Sequence, residues 1–146
     1  MKGSTDTYDV VIDTGVLVSA LKSTRGASFV ILSLLASGKF KFHLSVPLVC
    51  EYEAVLKRAS LDLQWSFNEI NELLDIICLV GVKHDISYLW RPLLRDAGDE
   101  FVAELAVAAG VDAIVTYNVR DFKGMEKFGV EVVTPKEFLI AIGEAR

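Results

Sequence analysis

Cysteine is scarce in this sequence: Cys50 and Cys78 are the only two, 28 positions apart and without a CxxC pair. That excludes a disulfide scaffold and a cysteine zinc site, and both are expected to be buried, reduced thiols of a cytoplasmic protein. Histidine is equally rare, so no His/Cys cluster is available for zinc; His43 and His84 are assigned to structure or surface. Three prolines and ten glycines leave little room for a long structureless linker. No apolar run approaches the roughly 18 residues of a membrane span. The polar start Met1-Lys2-Gly3-Ser4-Thr5-Asp6 lacks the apolar core of a secretion signal, so a cytoplasmic location without membrane contact is expected. Positive charge is also in deficit. Fifteen basic against 20 acidic residues give a net charge of −5, which argues against charge-driven coating of nucleic acid but not against a small basic or metal-bridged site. Also missing are a nucleophile-elbow serine, a phosphate-cradling Gly-rich loop, a Rossmann glycine fingerprint and any internal repeat.

What is present is enough apolar material for one good core. The chain is 52% hydrophobic and 24% charged over 146 residues, the size of one domain, here expected to span 1–146 with residues 1–7 as a flexible tail. Short β-like runs alternate with helical stretches throughout. Strands are predicted at 8–12, 40–44, 78–82, 113–116 and 130–133, and helices over 16–21, 27–36, 45–58, 67–77 and 101–109, with a last one from Thr134. Ser45 caps a helix with Pro47 in its first turn. Ser66 with Glu69, and Thr134 with Glu137, are capping boxes. Gly110 stands where a helix stops. The stretch 83–98 is irregular. Strands separated by helices, mostly without hairpin signals, predict an α/β fold: a central, mainly parallel sheet with helices on both faces. In such sheets the crevice lies beyond the carboxyl ends of the strands.

Acidic residues fall where that rule points. Asp13 ends the first strand, Asn118 and Asp121 follow the strand ending at Thr116, and Asp99 and Glu100 open the preceding helix. Glu51 and Glu53 belong to helix 45–58, on opposite edges of its apolar face, so amphipathicity does not choose between them. Each acid also has a plain structural reading: Asp13 as a turn or cap residue, Asp99 as an N-cap, Asp121 as a loop end, the glutamates as solvated charges. Their joint occurrence is more informative. Carboxylates converging at one sheet end repel one another unless a cation joins them, and hard Mg²⁺ or Mn²⁺ prefers such oxygen ligands. Ions of this kind activate water and stabilise a leaving oxygen, which points to phosphodiester hydrolysis.

Val11-Ile12-Asp13-Thr14-Gly15-Val16-Leu17-Val18-Ser19-Ala20-Leu21 resembles the opening of a PIN domain. The run from Ser45 to Arg58 is similar to that family's second acidic block. Asp99 through Gly110, continuing into Ile114-Val115-Thr116-Tyr117-Asn118-Val119-Arg120-Asp121-Phe122, resembles the third and fourth. The four blocks follow in order over nearly the whole chain, and the nearest branch is the small prokaryotic VapC-like toxins of toxin–antitoxin systems.

The resemblance implies a metal-dependent endoribonuclease using Mg²⁺ or Mn²⁺ and leaving 5′-phosphate and 3′-hydroxyl ends. Asp13, Glu51, Asp99 and Asp121 are then the catalytic and metal-binding residues. Thr116, Asn118 and Arg120 are assigned to substrate, with Lys22 and Arg25 as further candidates for guiding the backbone. Glu104 is either a supporting group or an exposed charge. It further implies an RNA substrate, an antitoxin partner and a homodimer, for which helices 27–36 and 67–77 are candidate surfaces or simply core. Two departures stand out: Gly15 where a polar side chain is usual, and Asn118 where relatives often have Asp.

Two other readings compete. A receiver-like signalling domain also uses strand-end acids and Mg²⁺, but it needs a phosphoacceptor Asp after a middle strand, and none follows Phe42-His43-Leu44. A catalytically weak nucleic-acid-binding or protein-interaction domain is favoured by Gly15 and Asn118. Trp65 and Trp90 are candidates for base stacking, with core packing or a partner interface the stronger reading.

Overall fold

The computed structural model describes residues 7–86 and 97–145. Five parallel strands form one sheet: β1 (Tyr8–Ile12), β2 (Phe40–Leu44), β3 (Val82–Lys83), β4 (Ala113–Val115) and β5 (Glu131–Val133), in the order β3-β2-β1-β4-β5. Seven helices connect and follow them: α1 (Thr14–Lys22), α2 (Ala27–Ser33), α3 (Val46–Arg58), α4 (Ser60–Leu63), α5 (Phe67–Val80), α6 (Ala97–Ala109) and α7 (Pro135–Ala141). Two 3-10 turns, Val119–Phe122 and Met125–Phe128, join β4 to β5.

Neighbouring residues of a strand point to opposite faces. Val10 and Val11 of β1 are both fully buried, so both faces of the sheet are covered. On one face Tyr8 and Phe40 meet the Phe138 ring of α7 edge-on, and α7 packs against α2. Helix α6 lies against β1, β2 and β4 and also touches α3. No single helix among the described residues is long and apolar enough to cross a membrane.

The caps at Ser45, Ser66 and Thr134 sit where the sequence placed them. Ser45 accepts from the Leu48 amide, and both capping boxes, Ser66 with Glu69 and Thr134 with Glu137, are complete. The Ser66 backbone N–H and hydroxyl hold the Glu69 carboxyl below its usual pKa. Gly110, at φ +64°, follows α6 in the left-handed conformation that closes helices.

Three expectations change. The run 78–82 is not a strand, because α5 continues through Cys78 to Val80 and leaves only Val82–Lys83 for β3. The break comes at Gly81, where a Cβ would stand 2.5 Å from Leu44 Cδ1 and 2.8 Å from the Phe42 ring, so a residue without a side chain is needed for the backbone to pass this close to β2. Helix α6 begins at Ala97, so Asp99 and Glu100 lie inside its first turn and Asp99 is not the N-cap. The cysteines are not both buried: Cys50 is exposed and Cys78 half-buried. Both thiols are unpaired. Trp65 packs half-buried against the core; Trp90, residues 1–6 of the expected tail, and 87–96 of the irregular stretch lie outside the described residues.

Candidate active site

The strand order reverses between β1 and β4, which makes their carboxyl ends the topological switch point of the sheet. Asp13 follows β1 there, and Thr116 follows β4. Asp13 heads α1 through its backbone, since Val16 N–H donates to the Asp13 carbonyl at 3.0 Å, but its side chain makes no capping bond. Instead its Oδ2 accepts a 2.7 Å hydrogen bond from Thr116 Oγ1, which in turn accepts the Asn118 N–H at 3.0 Å. Asp13 and Thr116 are both buried. The reading of Asp13 as a simple helix cap therefore fails on its side chain.

Helix α3 closes the site from beside β1. The Tyr52 hydroxyl donates to the Ile12 carbonyl at 2.5 Å, next to Asp13. Burial, and secondarily the Asp13 charge, push the Tyr52 pKa far above the ordinary phenol range, which places that hydroxyl in the field of the carboxylate. Glu51 precedes Tyr52 and is half-buried, whereas Glu53 is exposed and bound to Lys57 at 2.9 Å as an i,i+4 pair. The two glutamates thus differ in burial and partner, Glu53 being paired at the surface with Lys57.

Asp99 and Glu100, both half-buried, occupy the first turn of α6, where the positive end of the helix dipole favours carboxylates. One carboxylate oxygen of Glu100 is fully buried. Glu104, one turn further on, is half-buried. On the far side of β4, Asn118, Arg120 and Asp121 are exposed, the last two within the 3-10 turn Val119–Phe122. Arg120 and Lys123 line an open depression along β5 together with Glu126 and Glu131. Lys22 and Arg25 are exposed.

Among the described residues no group of three or more His, Cys, Asp or Glu stands close enough to hold one ion. Asp13, Glu51, Asp99 and Asp121 are therefore not a preassembled cluster. Asp121 faces solvent from its turn, and the others come from three separate elements. The donor chemistry nonetheless suits a hard cation. Mg²⁺ is commonly held by one or two carboxylates, with water and substrate phosphate completing its shell, and the buried Asp13 with Glu51 and Asp99 offers oxygen donors only. Gly15, in the first turn of α1, is exposed, and a Cβ there would meet nothing within 4 Å. Its missing side chain is not dictated by packing.

Sequence reasoning missed a polar chain elsewhere in the sheet. His43, buried on β2, bonds Asp9 Oδ1 through Nε2 at 2.8 Å and His84 Nε2 through Nδ1 at 2.7 Å, with the two imidazoles stacked. The three residues come from β1, β2 and the segment after β3, so no local spacing announces them.

Comparison with known proteins adds the following. The family profile described as PIN domain matches residues 9–120. No curated protein matches the chain in sequence. Among solved structures, it resembles VapBC2 from Rickettsia felis bound to a DNA fragment from their promoter. The TM-score is 0.58 and the identity 18%, covering 85% of this chain and 98% of that one. At that identity the likeness concerns the fold.

Proposed function

Because this chain belongs to the PIN domain family, we propose that it is an endoribonuclease that hydrolyses RNA phosphodiester bonds with Mg²⁺ or Mn²⁺. The single observation that carries this reading is the buried Asp13 carboxylate, held by Thr116 at the switch point between β1 and β4. Asp13 would hold the ion with at most one of the carboxylates Glu51, Asp99 and Asp121 directly, and the others would reach it through water. When bound, the ion supplies charge neutralisation at the phosphate and a lowered pKa for attacking water.

The chain's own residues do the rest. Thr116 fixes the Asp13 carboxylate in one orientation, and Tyr52 closes the site beside it and excludes water from the β1 end. Asn118 and Arg120 orient the phosphate backbone at the open side, and Lys22 and Arg25 extend the basic rim. The net charge of −5 fits a site whose affinity rests on that rim and on the cation. Likeness in fold to VapBC2 supports a VapC-like toxin with an antitoxin protein as partner; a second copy of the chain and a cytoplasmic setting complete the proposal.

The test is cleavage of a structured RNA with Mn²⁺ or Mg²⁺ by the wild type, Asp13→Asn and Asp99→Asn. Metal-dependent cutting that both substitutions abolish is the expected result. RNA binding without cutting by the wild type would overturn the nuclease and leave a binding domain, while phosphate incorporation from acetyl phosphate would indicate a receiver.

A further inference from the structure

A hollow of about 220 Å³ lies beyond the end of β2, bordered by Val46, Val49 and Cys50 of α3, Cys78 of α5, and Lys83 and His84. Both cysteines of the chain thus border one space, although 28 positions separate them in sequence. Helix α3 packs against α5. Cys50 is exposed and Cys78 half-buried, so a reagent from solvent reaches the pair. His84 is the third reactive group, and the bonds behind it set its tautomer. The Asp9 carboxylate can only accept, so His43 donates to it through Nε2–H at 2.8 Å. A neutral His43 then has a lone pair at Nδ1, and His84 donates to it through Nε2–H at 2.7 Å. Burial, and secondarily His43, hold His84 below the usual histidine pKa, so this ring is uncharged at neutral pH. Its remaining nitrogen, Nδ1, keeps an unshared pair on a ring stacked against His43.

The thiolate is the reacting form of cysteine, and a neutral imidazole in the same hollow is a base that can take the thiol proton. Lys83, whose ammonium donates to the Gly81 carbonyl at 3.2 Å, adds a positive charge suited to an anionic reagent. We propose that Cys78 and Cys50 form a thiol modification site: Cys78 attacks a small anionic disulfide, and Cys50 then closes an internal disulfide. In the first step the Cys78 thiol gives its proton to His84 Nδ1, and its sulfur bonds one sulfur of the reagent. The other sulfur leaves as a thiolate and takes that proton back from His84. In the second step Cys50 Sγ bonds Cys78 Sγ and expels the attached half, which leaves with the Cys50 proton as a second thiol. Two protein thiols are oxidised to one disulfide, and the reagent is reduced to two thiols. The product staples α3 to α5 one residue before Glu51. It does not depend on the ribonuclease reading.

The test incubates the whole chain with oxidised glutathione at neutral pH, with acid quenching, intact mass and non-reducing peptide mapping as readouts. The wild type should lose two hydrogens and give one cross-linked pair of peptides carrying positions 50 and 78. Cys50→Ser should stop with a single glutathione on Cys78. In that background His84→Gln should slow the addition by about tenfold or more. Asp9→Asn should slow it by less, because the amide oxygen still accepts from His43. An unchanged rate in a folded His84→Gln protein, checked by near-ultraviolet circular dichroism, overturns the role of the imidazole and with it the site as proposed. Glutathione on Cys50 with Cys78 untouched, or a wild type without the cross-link, overturns it as well. These last two outcomes decide the matter even where His84→Gln does not fold.

Discussion

Thr116 donates a 2.7 Å hydrogen bond to Asp13 across the point where the strand order of the sheet reverses. The two residues are 103 positions apart, and each follows the carboxyl end of its own strand. A hydroxyl bonded to a buried carboxylate contributes about 1.5–3 kcal/mol. Thr116→Val, which keeps the shape and removes the donor, should lower kcat/KM for RNA cleavage by about ten- to a hundredfold. Thr116→Ser should retain most of the activity. Equal rates for the valine and serine variants would show that the bond does not orient Asp13.

Glu51 and Glu53 separate in the folded protein by partner and burial. Glu51→Gln is expected to reduce cleavage by at least about tenfold, the effect of roughly 1.4 kcal/mol of lost transition-state stabilisation. Glu53→Gln removes an exposed i,i+4 pair with Lys57 and should shift stability by no more than about 0.5 kcal/mol. Steady-state cleavage and thermal unfolding of the two variants, measured in parallel, decide the matter; the opposite ranking would move the acid to position 53.

Gly15 faces open space and its φ is not in the left-handed region. Glycine inside a helix costs about 0.5–1 kcal/mol against alanine, so Gly15→Ala should raise Tm by about 2 °C. Gly15→Asn restores a polar group beside Asp13 and should raise the cleavage rate above wild type. A faster alanine variant with no gain for asparagine would assign the effect to stability alone.

Burial, and secondarily the neighbouring His43, hold His84 below the usual histidine pKa. The folded protein therefore binds fewer protons at this site than the unfolded chain does between the depressed value and the ordinary one. Its stabilising contribution is fully present above about pH 6.5 and is lost as the pH falls through that interval. Among the described residues, the charged or titratable groups nearby include Asp9 and Asp112 on the sheet side, Lys83, Cys50 and Cys78 around the half-buried ring, and Asp85 next in sequence. Thermal unfolding should show a drop in Tm between pH 7.5 and 5.5 that is smaller in His84→Gln. An identical drop in both proteins would place the pH sensitivity elsewhere.

Local signals carried most of the architecture. The alternation of Phe40 and Phe42 with Lys41 and His43 marked β2 to the residue, although in the fold only Lys41 of the strand is exposed. The hydroxyl–glutamate spacings at Ser66 and Thr134 located two helix starts for the same reason. The end of α5 was not legible: Cys78-Leu79-Val80 is apolar enough for either state, and the deciding contact is between Gly81 and β2. The start of α6 was misjudged because Ala97 and Gly98 carry no capping signal. At the site, the order of Asp13, Glu51 and Asp99 could be read from the chain. The Thr116 bond, the Ser28–Tyr117 bond and the Asp9–His43–His84 chain could not, since all depend on partners brought together by folding.

The tight passage at Gly81 ties the helix that carries Glu51 and Tyr52 to a position with no chemistry of its own. Even a methyl group there would press on Leu44 and Phe42, and the residue after Leu44 is Ser45, the cap of the helix that carries Glu51 and Tyr52. Damage at position 81 would therefore surface as a displaced α3 and a disturbed candidate site. A compensating loss of bulk at Leu44 should act as its genetic suppressor.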